Sequence, residues 1–204
     1  MYTRYFALLL ALGAAVPAHA QINGPRFQFN QPKAWFSLGA GYGQSWTVTN
    51  GAQTWDFGSA PQYVASLEKA VTSGASIGLA ASTSRVPVRV TDGGGIQSTD
   101  ANVSQVFATL HLANGGQLHT SFDFRAGTTV YSGLGSSTGG NGYDADFAFG
   151  LGYGVGYSFS PRFSLDIVQD ATTSIHQKDA ANPTAENSVR LHTTRLIGRF
   201  GLGG

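Results

Sequence analysis

Between Phe147 and Phe159 the chain alternates without a break. Odd positions are bulky and apolar (Phe147, Phe149, Leu151, Tyr153, Val155, Tyr157, Phe159), and even positions are small (Ala148, Gly150, Gly152, Gly154, Gly156, Ser158). A period of two describes a strand with two unlike faces. Ser160-Pro161-Arg162 reads as a tight turn, with proline fixing φ. The alternation resumes with Phe163, Leu165 and Ile167 on one face and Ser164, Asp166 and Asp170 on the other. A three-residue turn predicts Phe159 opposite Phe163 and Val155 opposite Ile167, so that apolar meets apolar. Interior glycines weaken a water-exposed strand. Inside a narrow barrel they instead leave room for long side chains from other walls.

The same rhythm predicts eight strands. Strand one covers Ala34–Val48, with Phe36, Leu38, Ala40, Tyr42, Trp46 and Val48 on its apolar face. Strands two to five follow at Gln62–Val71, Ala75–Val90, Ala101–Leu112 and Gln117–Tyr131; six and seven form the hairpin over 144–176, and eight is Ser188–Phe200. Strand three changes parity, from Ile77, Leu79 and Ala81 to Val86, Val88 and Val90. Either a bulge near Pro87 shifts the register or the strand leaves the membrane there. A turn centred on Gly115 predicts Leu112 opposite Leu118, Ala108 opposite Phe122 and Val106 opposite Phe124, with His111 and His119 as cross-strand neighbours. Tight turns at 72–74, 114–116 and 160–162 alternate with polar loops near 49–61, 91–100, 132–143 and 176–187. Short turns on one side and long loops on the other give an all-β fold, an eight-stranded antiparallel up-and-down transmembrane β-barrel. Trp35, Phe36, Tyr157, Phe159, Phe163 and Phe200 fall near the turn side, and Trp46, Tyr63, Tyr131 and Tyr143 near the loop side, as interfacial girdles would.

Composition sharpens this. Arg4, the apolar run Phe6–Val16, Pro17 and Ala18-His19-Ala20 make a secretory signal peptide over residues 1–20, cleaved before Gln21. Residues 21–33, with Pro25 and Pro32, are a polar lead-in, and 34–204 the barrel domain. Without the signal the chain has 11 Lys+Arg against 11 Asp+Glu, so no basic stripe points to nucleic acid. There is no cysteine, which excludes a disulfide scaffold, thiolate metal sites and thiol catalysis. Charged residues make up only 11% of the chain, too few to cover a conventional soluble surface.

The stretch Gly-Leu-Gly-Tyr-Gly-Val-Gly-Tyr-Ser-Phe-Ser-Pro-Arg-Phe-Ser-Leu-Asp at 150–166 resembles the small eight-stranded outer-membrane barrels, the OmpA/OmpX-like family of Gram-negative bacteria. It is similar to that family's glycine-aromatic strand, periplasmic turn and following alternating strand. In layout the resemblance covers 34–200. It implies an outer-membrane location, contact with outer-membrane lipids, delivery by the barrel-insertion machinery and an extracellular partner reached through the loops. The family's terminal aromatic residue, which that machinery reads, would be Phe200; here Gly-Leu-Gly-Gly follows it.

Several constellations bear on chemistry. The glycines at 150–156 recur at every second residue with no helix after them, so they are a strand face and not a phosphate loop. His119 and Ser121 share a strand face with Asp123, and an outer-membrane lipid deacylase family uses a His-x-Ser pair with an acid. The asparagine expected after that serine is Phe122 here, and the strand order puts the pair near the periplasmic end, facing inward. The expected role is polar lining, with lipid hydrolysis as the alternative. His111 and His119 lack further ligands for a metal, and no cofactor is implied. Glu68, Asp123, Arg125, Asp166, Asp170, Arg195 and Arg199 mostly share inward parity and are expected to form a charge network filling the interior. The resulting expectation is an integral outer-membrane barrel with a structural or surface-interaction role and no catalysis. A soluble periplasmic barrel holding an apolar ligand would require the bulky face to point inward.

Overall fold

The computed structural model describes residues 31–50, 53–133, 143–175 and 188–203. The expected signal peptide, residues 21–30 of the lead-in, and the loop segments 134–142 and 176–187 lie outside the described residues. Ten strand segments follow one another: β1 (Ala34–Gly43), β2 (Trp46–Asn50), β3 (Gln53–Phe57), β4 (Ala60–Thr72), β5 (Ala75–Asp92), β6 (Gly95–Ala113), β7 (Leu118–Ser132), β8 (Tyr143–Ser160), β9 (Phe163–Ile175) and β10 (Ser188–Leu202). From β4 onward each strand pairs antiparallel with the next, and β1 joins β4 to β10, which closes an eight-strand barrel. Following paired residues once around, from Gly43 through Thr193, Asp170, Gly152, Asp123, His111, Ser76 and Ala70, arrives beside Lys33, a stagger of ten residues. Strands staggered in this way tilt by about 35–45°, and eight of them enclose a space just wide enough for side chains.

The faces are those of a membrane barrel. Leu79, Leu151 and Ile167 are about 60% exposed on the outside, whereas Ser121, Asp166 and Thr129 are buried inside. The bulky face points outward, which removes the soluble ligand-binding alternative. At the turn end Tyr157, Phe159, Phe163 and Phe200 form a chain of ring contacts 5.0–5.4 Å apart.

Several expectations need correction. First, strand one stops at Gly43. Gln44 and Ser45 interrupt it, Gly58 and Ser59 interrupt the strand opposite, and the pairing then resumes on the same register, with Trp46 opposite Phe57. The expected loop at 49–61 therefore contains β3, which docks on β5. The double break also switches faces, so Trp46 turns inward and stacks on Phe57 at 4.7 Å. Above the lipid an outward tryptophan would face water; turned inward, it buries apolar area. Secondly, β5 and β6 remain paired through the expected loop at 91–100 as far as Asp92 and Gly95, and no bulge interrupts them at Pro87. Val86 and Val88 thus point inward, each 2% exposed, while Arg85, Pro87 and Arg89 face out. The valines change parity because the polarity of the surroundings inverts, not because the register slips.

Thirdly, the β6–β7 register differs by four from the expected one: Leu112 pairs Phe122, Ala108 pairs Ala126 and His111 pairs Asp123. A wider turn causes this, closed by Asn114, whose side-chain oxygen accepts the Thr120 N–H at 2.7 Å and whose own N–H donates to the Thr120 carbonyl. The even shift preserves the faces but separates His111 from His119. Fourthly, Val155 does pair Ile167, but an irregularity between Ser158 and Ser160 leaves Phe159 without a direct cross-strand partner. Three aromatics placed in the girdles are in fact interior: Trp35 under Arg199, Trp46, and Tyr131 at 3% exposure.

Candidate functional site

The barrel interior is the candidate site, and it changes character along its length. Towards the turns it carries charge. Arg199 (β10) donates to Glu68 (β4) at 2.7 Å and lies over the Trp35 ring at 5.1 Å. Glu68 also accepts from the hydroxyls of Ser66 and Ser76. One level up, Arg125 (β7) pairs with Asp123 and with Asp170 (β9), and Arg195 (β10) pairs with Asp170 from the other side. His119 Nε2 meets Asp166 Oδ1 at 2.7 Å, with Ser164 donating to the same carboxylate. Each of these side chains is inward because its strand alternates, and the ten-residue stagger brings residues of distant sequence to one height.

His111 couples two of these groups. Its Nδ1 lies 2.7 Å from Asp123, and its Nε2 contacts the Arg199 guanidinium. The imidazole thus bridges the Asp123 carboxylate and the Arg199 guanidinium. The glycines of β8 form the floor beneath the pairs. A Cβ at Gly156 would strike Asp166 and His119; at Gly152 it would meet Asp170, Arg125 and Asp123; at Gly154 it would come within 2.6 Å of the Ser121 hydroxyl. The space left among these groups is about 40 Å³, bordered by Ser37, Thr109, His111, Asp123, Arg195 and Arg199.

At mid-height the contacts become neutral. Gln62 donates to Gln105, Gln105 to Thr129, and Ser174 to Thr129. Beyond them, towards the loops, the interior is an apolar core of Phe57, Ala60, Val86, Val88, Ala101, Val103, Tyr131, Val189 and Leu191, with Trp46, Val48, Trp55 and Val90 packed against it. Sequence reading missed this core. Its signal was the run Val86, Val88, Val90 on the face opposite to Ile77 and Leu79.

All seven charged residues named from the sequence face this interior, and Asp146 and the two histidines join them as buried polar groups. The pair His119 and Ser121 is not assembled as a hydrolytic couple. His119 is engaged by Asp166, its other nitrogen lies 3.4 Å from Ser158, and no hydrogen bond joins it to Ser121 among the described residues. His111 and His119 pair with different carboxylates, and no group of three metal-ligating side chains exists among the described residues.

No family model and no curated protein matches the sequence. Solved structures do. Neisserial surface protein A aligns over 85% of this chain and 100% of its own, with a TM-score of 0.53 and 12% identity. The outer membrane protein OprG of Pseudomonas aeruginosa aligns over 84% and 95%, with a TM-score of 0.50 and 11% identity. The chain has the fold of the small outer-membrane barrels. At this identity the likeness concerns the fold alone. The outward apolar face supplies the physical reason, since a closed barrel leaves no strand edge unpaired in lipid.

Proposed function

We propose that this chain is an integral outer-membrane protein with a structural or surface-interaction role, closed to solutes and without catalysis. One observation carries the reading. At membrane height the interior is occupied by oppositely charged side chains already paired with one another, and about 40 Å³ remains among them, room for about two or three waters. Arg125, Arg195 and Arg199 meet Glu68, Asp123 and Asp170, so opening a path would strip charges of their partners. The apolar core nearer the loops adds a second closure of different chemistry.

The partners of such a protein are outer-membrane lipids along the belt, the insertion machinery during assembly, and an extracellular partner at the loop end. The lipid-hydrolase alternative has no support from the His119 geometry, because Asp166 and not Ser121 is its close partner. Fractionation combined with heat-modifiable gel migration tests the reading. Recovery in the outer membrane, with unboiled protein migrating faster than boiled, is expected. A soluble, heat-insensitive periplasmic species would refute it.

A further inference from the structure

Above Asn102, β6 is paired on one side only among the described residues. Its last pair with β7 is Asn102 with Ser132, whereas its pairing with β5 runs on without a bulge to Asp92 and Gly95. The residues from Gly95 to Asp100 are all exposed, although alternate ones point to opposite faces, so this stretch stands clear of the barrel rim. Its open edge has a defined phase. The Gly58 N–H donates to the Pro87 carbonyl at 2.8 Å, which fixes that carbonyl on the side of β5 away from β6. Pro87 pairs with Asp100, so this pair exchanges no hydrogen bond, and the Asp100 N–H and C=O point away from β5. Alternation gives Ser98 and Ile96 the same direction. Open edges are ordinarily blunted by lysine, proline or a bulge. Gly95-Ile96-Gln97-Ser98-Thr99-Asp100-Ala101 contains none of these. The strand β2, also paired on one side, comes close to β10 of its own barrel.

We infer that this edge pairs with the same edge of a second copy, antiparallel about a two-fold axis at Ser98, and so joins barrels in two facing membranes. The two-fold sets Ser98 opposite Ser98 and Ile96 opposite Asp100. These are the residues whose N–H and C=O groups point out from the edge, so every donor meets an acceptor. The side chains agree with that register. Gln97 falls opposite Thr99 on the inner face, one hydrogen-bonding group beside another. On the outer face the Asp100 carboxylate that comes beside Ile96 is already held by Arg85 at 3.0 Å. No like charges meet. The two-fold also fixes how the barrels stand. Copies in one membrane run β6 in the same direction, which excludes antiparallel pairing, whereas copies in opposed membranes run it in opposite directions. One short strand pair buries less than the about 1,000 Å² expected of a stable interface. The contact therefore acts where many copies face one another and avidity accumulates. This inference rests on the outer-membrane reading above, with the loop end outside, and makes a second copy the extracellular partner.

The chain has no cysteine, so single introduced cysteines report the contact. The full-length mature protein is refolded into two differently tagged nanodisc populations, one copy per disc, which are mixed under mild oxidation. Ser98→Cys should cross-link to itself between the populations, because hydrogen-bonded antiparallel partners lie about 5.5 Å apart at Cα, within disulfide reach. Ile96→Cys should cross-link to Asp100→Cys, and neither to itself. Gly94→Cys, equally exposed at the turn, gives the background of random collisions, and Ser98→Cys should exceed it several-fold. Ser98→Pro, which removes an edge N–H without touching a bond to β5, should abolish the clustering of proteoliposomes that the wild type brings about. Equal cross-linking of Ser98→Cys and Gly94→Cys, cross-links that form only when two copies share a disc, or clustering undiminished in Ser98→Pro would overturn the contact while leaving the barrel reading untouched. Capture of an unrelated extended peptide at this edge, with no cross-link between copies, would overturn it in favour of a foreign strand. Heat-modifiable migration of every variant establishes that each is folded, and failure of the wild type to insert at all would overturn both readings.

Discussion

At the scale of single residues, the small face of β8 and the charges around it are one device. Gly152 and Gly156 keep clear the volume that Asp170, Arg125, Asp166 and His119 occupy. Arg125→Ala leaves Asp123 and Asp170 short of a cation, and unfolding in lipid should show a loss of roughly 3 kcal/mol. An unchanged unfolding midpoint would mean that those pairs contribute nothing. Leu151→Arg and Gly152→Ala should both destabilise, for opposite reasons. The arginine meets lipid, at about 2–4 kcal/mol near the midplane, and the alanine displaces the Arg125–Asp170 pair, at about 1–3 kcal/mol. A rise in stability for either, measured by urea titration in bilayers, would invert the assignment of faces. Strand parity made the inward charges legible in the sequence. Their partners were not legible, because pairing depends on register and stagger, to which each turn contributes.

At the scale of elements, the β6–β7 turn shows how that information is lost. Asn114-Gly115-Gly116 reads as a tight turn, yet one side-chain bond from Asn114 to the Thr120 N–H widens it and moves the whole register by four. The faces survived because the shift is even, and the His111–His119 neighbourhood did not. The β5–β6 hairpin teaches a different lesson. Val86, Val88 and Val90 announced a change of environment, and a strand that leaves lipid inverts its polarity without any break. The break in β1 at Gln44 and Ser45 left no comparable mark, since Trp46 and Val48 continue the outward parity of Tyr42 in the sequence while pointing inward in space. The core they help to form is a separate folding element. Phe57→Ala should cost about 3–5 kcal/mol and expose the hairpin β2–β3 to protease, with the membrane-level strands still protected. Proteolysis unchanged from wild type would indicate that the core does not hold the loop end together.

At the scale of the whole molecule, the chain is a barrel whose wall and interior exchange polarity where it emerges from lipid. This fixes an orientation that can be checked. Tags placed in the Gly93–Gly94 turn or within 176–187 should be accessible on intact cells. Tags at Ser73–Gly74 or Asn114–Gly116 should be accessible only after permeabilisation, and the reverse pattern would turn the molecule over. On the proposed closed reading, the paired charges at membrane height and the Phe57–Tyr131 core above them act as two unlike barriers in series. Single-channel recording of the purified monomer in planar bilayers tests this most directly. No steady conductance of porin size is expected, and sustained large openings from the wild-type protein would contradict the account.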